Sequence, residues 1–242
     1  MILKEKQLPI YFGPIRGCKW IFGSASGGFG GISVNFNMAE KYMLKVASAI
    51  IRSDFTCFDI GANVGLYTLL FSRRAKAVYS FEPSIRNLEY LHRHIRYNHL
   101  NNVFVIPAAV SDKNGIGHFN FGDNNATGKL HKTGYPVIKI SIDDFCSKIS
   151  DKPNLIKIDV EGEEYLLLKG ARKTLTKKHP LLLISFHGIV NYKKCTRLLI
   201  EYGYKHFYPL NAETILGKYP SEFLISLRPI QNSIVNQELI IL

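Results

Sequence analysis

From residue 57 onward, short apolar runs alternate with stretches of helical composition, and this rhythm narrows the possible folds more than any other feature. The runs CFDI, AVYSFE, NVFVIPAAV, LIKID and PLLLISF are strand-sized and mostly apolar. Runs of that kind form strands buried on both faces, as in a parallel sheet sandwiched between helices. The segments between them, GLYTLLFSRR, PSIRNLEYLHRHIRYNH, residues 163–178 and NYKKCTRLLIEYG, predict the helices. In the second of these, Ile85, Leu88, Leu91 and Ile95 recur at helical spacing, and Pro83 is placed in the first turn. VIKISIDDF reads as strand, and Gly115–Gly134 as a β-hairpin or excursion. KHFYPL and EFLISLR read as a closing antiparallel pair. The expected fold is α/β and Rossmann-like, with about seven mostly parallel strands and helices on both faces.

Residues 1–56 break the rhythm. The glycine-rich GSASGGFGG lies between KWIF and ISVNF, and no Gly-Lys-Ser/Thr follows it, so it is not a phosphate-binding loop of the Walker type. We read a small β/loop extension or cap over 1–56, packed on a main domain over 57–242.

Composition excludes several classes. With 46% apolar residues the chain can bury a substantial core. Its longest apolar run, LLLISF, falls far short of the roughly 20 residues that span a bilayer. The start MILKEKQLPI lacks the apolar stretch of a secretory signal, so a cytoplasmic protein is expected. Cys18, Cys57, Cys146 and Cys195 are scattered without metal-ligand spacing, which argues against structural zinc and against disulfides. Asn125-Ala126-Thr127 matches a glycosylation sequon that has no meaning without export. The net charge of +12 attracts anions, whether nucleic acid, an anionic membrane surface or an acidic substrate. Its basic clusters, residues 86–99 and 172–179, also serve as solvated helix faces.

The chemistry sits at the strand ends. FDIGANVG closes the first strand and opens the first helix of the sheet. Gly61 and Gly65 allow a tight turn and close approach of a ligand to Ala62 and Asn63. A dinucleotide fingerprint needs G-x-G-x-x-G, but Asn63 replaces the middle glycine and Asp59 would repel a pyrophosphate. An acid there suits a cationic ligand, and S-adenosylmethionine (SAM) carries an ammonium and a sulfonium. Glu82, at the end of the second strand, is placed to accept hydrogen bonds from both ribose hydroxyls. In IKIDVEGEE, Asp159 and Glu161 follow a buried strand and stand two apart. Such a pair can act as general base, bind a divalent ion, or hold the methionine ammonium. His187, closing the next strand, is expected to face the same cleft.

FDIGANVGLYTLLFSR, VYSFEPSIRNLEYL, NVFVIPAAVSD, ISIDDF and LIKIDVEGEEYLLLKGARKTL together resemble, in order and spacing, the FkbM-type methyltransferases. The resemblance spans about residues 58–188. It implies a class I SAM-dependent methyltransferase that transfers methyl to a hydroxyl of a sugar or other small metabolite. It places Asp59, Gly61, Asn63 and Gly65 in the cofactor loop and Glu82 on the ribose. It places Ala109 and Ser111 near the adenine, and Asp159 and Glu161 at the methionine end and the acceptor. One departure stands out: the family often has a Glu near the end of the fifth strand, where this chain has ISFHG. His187 then substitutes for it, or the acceptor differs.

Asp159, Glu161 and His187 are the expected catalytic groups. Mg²⁺ on those carboxylates is compatible with the sequence but not called for by it. RNA ribose methylation and a non-catalytic SAM-fold scaffold remain as alternatives. The basic helices admit docking on anionic membrane, and the apolar end IVNQELIIL admits self-association.

Overall fold

The computed structural model describes residues 6–25, 32–120, 128–210, 221–231 and 233–235. The elements run β1 (Gln7–Pro9), β2 (Lys19–Ile21), α1 (Ile32–Asn35), α2 (Lys41–Ile50), β3 (Thr56–Ile60), α3 (Leu66–Ser72), β4 (Ala77–Phe81) and α4 (Ile85–Tyr97). They continue with β5 (Val103–Ile106), β6 (Ala109–Val110), β7 (Gly115–Asn120), β8 (Lys129–His131), β9 (Tyr135–Ile140), α5 (Ile142–Lys148) and β10 (Leu155–Ile158). The last are α6 (Glu164–Gly170), α7 (Arg172–Lys178), β11 (Leu181–Ser185), α8 (Ile189–Glu201), β12 (His206–Pro209) and β13 (Glu222–Ser226).

Seven strands form the main sheet in the order β12-β13-β11-β10-β3-β4-β5. Every neighbouring pair is parallel except those of β13, which runs antiparallel to both β11 and β12. Because side chains alternate along a strand, each strand feeds two cores. Cys57, Val78, Leu155, Leu183 and Leu224 point to the face covered by α2 and α3. Phe58, Phe81, Ile156, Leu182 and Phe223 point to the opposite face, covered by α5 through α8. The strand order reverses between β3 and β10, so their carboxyl ends open a crevice between them.

The structure departs from the sequence expectations at four places. NVFVIPAAV is not one strand: it breaks at Pro107, which offers no N–H, and β6 leaves the main sheet to pair with β9. In VIKISIDDF the strand stops at Ile140 and IDDF is helical, because Ser141 Oγ accepts the N–H of Asp144 at 3.2 Å and caps α5. Residues 163–178 are two short helices rather than one. They part at Ala171, just after Gly170, where a Cβ would lie 2.1 Å from the carbonyl oxygen of Ser111. Helix α4 begins after Pro83, with Ser84 as its cap accepting from Asn87 N at 3.3 Å.

Residues 1–56 contain more than β-structure and loops. Besides the β1–β2 hairpin they form α1 and α2, and α2 buries Met43, Leu44, Val46, Ala47 and Ile50 at helical spacing. Ile10, Ile15, Trp20 and Met43 share a core with α3 and the β3 face. Asn98, capping the end of α4, clamps the hairpin: its Oδ1 accepts Lys19 N at 2.7 Å and its Nδ2 donates to Lys19 O at 2.9 Å. Residues 26–31 of the glycine run, the 125–127 sequon and residues 236–242 lie outside the described residues. The four cysteines are buried free thiols, and no helix among the described residues is long and apolar enough to cross a membrane.

Candidate active site

A cleft of about 330 Å³ opens at the carboxyl ends of β3, β4 and β10. That volume falls in the range of small-molecule and cofactor sites. Its floor is the β3–α3 turn. Gly61 has φ 74°, and a Cβ there would sit 1.8 Å from the carbonyl oxygen of Asp159, so only glycine lets the two turns touch. The N–H groups of Gly61 and Ala62 both donate to Phe81 O at 3.0 Å, tying the turn to the end of β4. Asn63 is left-handed at φ 51°, a conformation that Asn tolerates better than most residues. Gly65, at φ 101°, leaves room for Leu91 of α4.

Glu82 lines the cleft just beyond β4. Its Oε2 accepts Asn63 N at 2.8 Å, and its Oε1 accepts Ser84 N at 2.9 Å and Asn87 Nδ2 at 3.3 Å. A carboxylate has about four acceptor sites, so capacity remains for a ligand hydroxyl. Burial pushes its pKa up to about 7, against the pull of those three donors.

Asp59 does not reach the cleft. It exposes no surface, and its Oδ2 accepts the Thr68 hydroxyl at 2.7 Å inside the core. Burial pushes its pKa up, opposed by Lys157, whose ammonium lies 4.0 Å away, and by the Thr68 hydroxyl. The acids that meet the cleft besides Glu82 are Glu40, Asp159, Glu161 and Glu163. Lys157 Nζ also donates to Asp159 Oδ2 at 3.3 Å and to Gly61 O at 3.2 Å, and stands over the Tyr67 ring at 5.1 Å. Burial works against its charge, but Asp159, Asp59 and Glu40 outweigh that and hold its pKa above the ordinary lysine value.

Asp159, Glu161 and His187 come together. The turn after β10 takes Glu161 through φ 53° and Gly162 through φ 104°, which folds the Glu161 side chain back beside Asp159. His187 Nε2 lies 3.7 Å from Asp159 Oδ1 and 3.5 Å from Glu161 Oε2. Its Nδ1 donates to Oε1 of the wholly buried Glu164 at 2.8 Å, which fixes the ring. Burial lowers the His187 pKa, yet the Glu164 bond and the three surrounding carboxylates raise it overall. Burial raises the pKa of Glu161, with Asp159 and Glu164 adding to the rise and His187 opposing it.

Ala109 lines the cleft, whereas Ser111 is buried behind it, its N–H bonded to Ile140 O at 2.9 Å. The sequence reading missed Lys157, Glu164 and Trp20. Lysine in the otherwise apolar run LIKI is a signal in itself, since lysine is rarely buried without a partner. Trp20, the single tryptophan, lines the cleft wholly buried and stacks on His94 with centroids 4.2 Å apart. Its buried Nε1 has no hydrogen-bond partner among the described residues.

These residues suit SAM. Glu82 offers acceptors for ribose hydroxyls, and carboxylates along the cleft match the cationic methionine end. Comparison with known proteins agrees. The model of the Methyltransferase FkbM domain matches residues 59–213. Hexuronic acid methyltransferase AglP of Haloferax volcanii is 29% identical over 168 residues, 67% of this chain and 68% of that protein. The crystal structure of methyltransferase FkbM from Methylobacillus flagellatus KT superposes with a TM-score of 0.55 at 21% identity. That match covers 80% of this chain and 52% of the other, so this chain spans about half of its length. Precorrin-6y C5,15-methyltransferase from Geobacter metallireducens GS-15 gives a TM-score of 0.50 at 12% identity, covering 77% and 86% of the two chains. The fold is that of the class I methyltransferases, and the chain belongs to the FkbM methyltransferase domain family.

Proposed function

We propose that this protein transfers a methyl group from SAM to a hydroxyl of a sugar or similar small acceptor. The observation that carries the reading is the convergence of Asp159, Glu161 and His187, with the two carboxylates lining the same cleft as Glu82 and His187 standing just behind them. The name of the Haloferax volcanii relative, a hexuronic acid methyltransferase, supports a sugar as acceptor.

SAM supplies an electrophilic methyl group on a sulfonium. The chain's own residues bind, align and deprotonate. Glu82 holds the ribose hydroxyls, and the Gly61–Asn63 turn lets backbone approach the ligand closely. An alcohol attacks poorly until its proton leaves, and a positioned base contributes roughly 10²–10⁴-fold. Glu161 fills that role best. Asp159 is engaged by Lys157, and Nδ1 of His187 is engaged by Glu164, whereas among the described residues Glu161 Oε2 has no closer partner than His187 Nε2 at 3.5 Å. His187 then stabilises the carboxylates as they exchange the proton.

Residues 1–56 act as a cap that completes the cleft, because Trp20, Val34, Ala39 and Glu40 line it. The cap and the strip Gly128–Leu130, which also lines the cleft, are the surfaces that select the acceptor. The test uses SAM with a labelled methyl group and a panel of sugars that includes uronic acids. A methyl ether on one of them, lost roughly 10²-fold or more in Glu161→Gln, supports the reading. Binding of SAM without transfer to any hydroxyl acceptor would overturn it.

A further inference from the structure

We infer that Asp159, Glu161 and His187 form a binding site for one divalent transition-metal ion of the Mn²⁺ class. This inference rests on the methyltransferase reading and deepens it.

One ligand atom from each residue lies within 4.8 Å of the other two. His187 Nε2 stands 3.5 Å from Glu161 and 3.7 Å from Asp159, longer than a good charge-assisted hydrogen bond of about 2.7–2.9 Å. Ligand atoms about 2.0–2.2 Å from a common ion keep such separations from one another. The imidazole thus stands beside both carboxylates without a short bond to either, and a modest rotation of the side chains would bring the three ligand atoms around one ion.

A second feature lies behind the cluster. Glu164 is wholly buried, and its carboxylate serves three donors: His187 Nδ1 at 2.8 Å, Gly162 N at 3.1 Å and Asn191 Nδ2. The first bond places the hydrogen on Nδ1 and turns Nε2 toward Asp159 and Glu161. The second closes the turn that carries Glu161. One buried carboxylate thus orients two of the three ligands, the arrangement in which a metal-bound imidazole gives its other N–H to a carboxylate.

Charge points the same way. In a chain of net charge +12, Asp159, Glu161 and Glu164 gather around a single imidazole; Lys157 is shared between Asp159 and Asp59, and Lys129 acts on Glu161 more weakly than His187 does. A dication balances the surplus. Two carboxylates and an imidazole without thiolate favour Mn²⁺ and similar ions over soft metals, and the imidazole disfavours Ca²⁺. An ion here would lower the pKa of an acceptor hydroxyl placed at an open position, and the uncoordinated oxygen of Glu161 would take the proton.

The test is Mn²⁺ titration of metal-free full-length protein, read by loss of the free-ion electron paramagnetic resonance signal, with Zn²⁺ and Mg²⁺ as competitors. One saturable site is expected. Glu161→Gln and His187→Gln should weaken it at least tenfold, and Glu164→Gln about 10–100-fold through the outer shell. No saturable site, or equal affinity in Glu161→Gln, would overturn the inference. SAM binding is measured by calorimetry on the same metal-free samples. SAM binding without metal binding overturns only the metal site, whereas metal binding without SAM binding overturns the methyltransferase reading.

Discussion

The ammonium of Lys157 lies 4.0 Å from Oδ1 of Asp59, and both side chains are buried within the sheet. The acid of the DIGANVG motif thus serves the protein's own lysine rather than a ligand, and that lysine in turn secures Asp159. Removing one partner of a buried ion pair leaves an uncompensated charge and costs about 3–5 kcal/mol. Lys157→Met should lower unfolding stability by that amount in urea, and adding Asp59→Asn should restore part of it. A loss below about 1 kcal/mol would place the pair in the class of exposed ion pairs.

Glu82 should make SAM affinity depend on pH. Its pKa in the folded protein is about 7, raised above the free value of about 4.3 because burial disfavours the charge. Its contribution to unliganded stability is therefore full below about pH 4.3 and is lost as pH rises through 7. Ribose hydroxyls donate to the ionised form and favour it, so SAM should bind more tightly as pH rises from 6 to 8, with proton release. Calorimetry in buffers of different ionisation enthalpy measures the release, and Glu82→Gln should abolish it.

Gly61→Ala should damage both the fold and the site. The added Cβ would meet Asp159 O at 1.8 Å on a backbone already at φ 74°. Strain of this kind costs on the order of 1–3 kcal/mol before the contact itself is relieved. We expect a lower melting temperature and weakened SAM binding together. Wild-type values for both would show that the β3–α3 and β10–α6 turns do not need to touch.

Trp20→Ala should destabilise the whole protein in a single transition. The ring stacks on His94, which accepts Ile21 N at 3.0 Å through Nε2 and donates from Nδ1 to Val64 O at 2.7 Å. Truncating a buried tryptophan costs about 3–5 kcal/mol. Two separate unfolding transitions, with only the first altered, would show that the N-terminal segment folds apart from the rest.

Much of this was legible in the sequence, for identifiable reasons. The parallel strands announce themselves because both faces are buried, and β12 and β13 because their spacing fits a closing pair. Helix α5 is hidden in the sequence because Ile138, Ile140 and Ile142 alternate as in a strand, and only the Ser141 cap decides. Helix α2 was overlooked beside the glycine run, although its apolar residues recur at helical spacing. In the site, carboxylates at strand ends were found by position. Whether each faces the cleft depends on partners distant in sequence: Lys157 for Asp59 across 98 residues, and Glu164 for His187 across 23. Ser111 is buried rather than lining the cleft because β6 leaves the main sheet, a turn of topology that no local pattern records.

The cleft is proposed to hold SAM with Glu82 at its ribose. Titration of the wild-type protein with S-adenosylhomocysteine, compared with Glu82→Gln, tests it most directly. One site per chain is predicted, weakened about ten- to a hundredfold in the variant, as expected for loss of a charge-assisted hydrogen bond of about 1.5–3 kcal/mol. Absence of binding by the folded wild-type protein, or equal affinity in the two proteins, would contradict it.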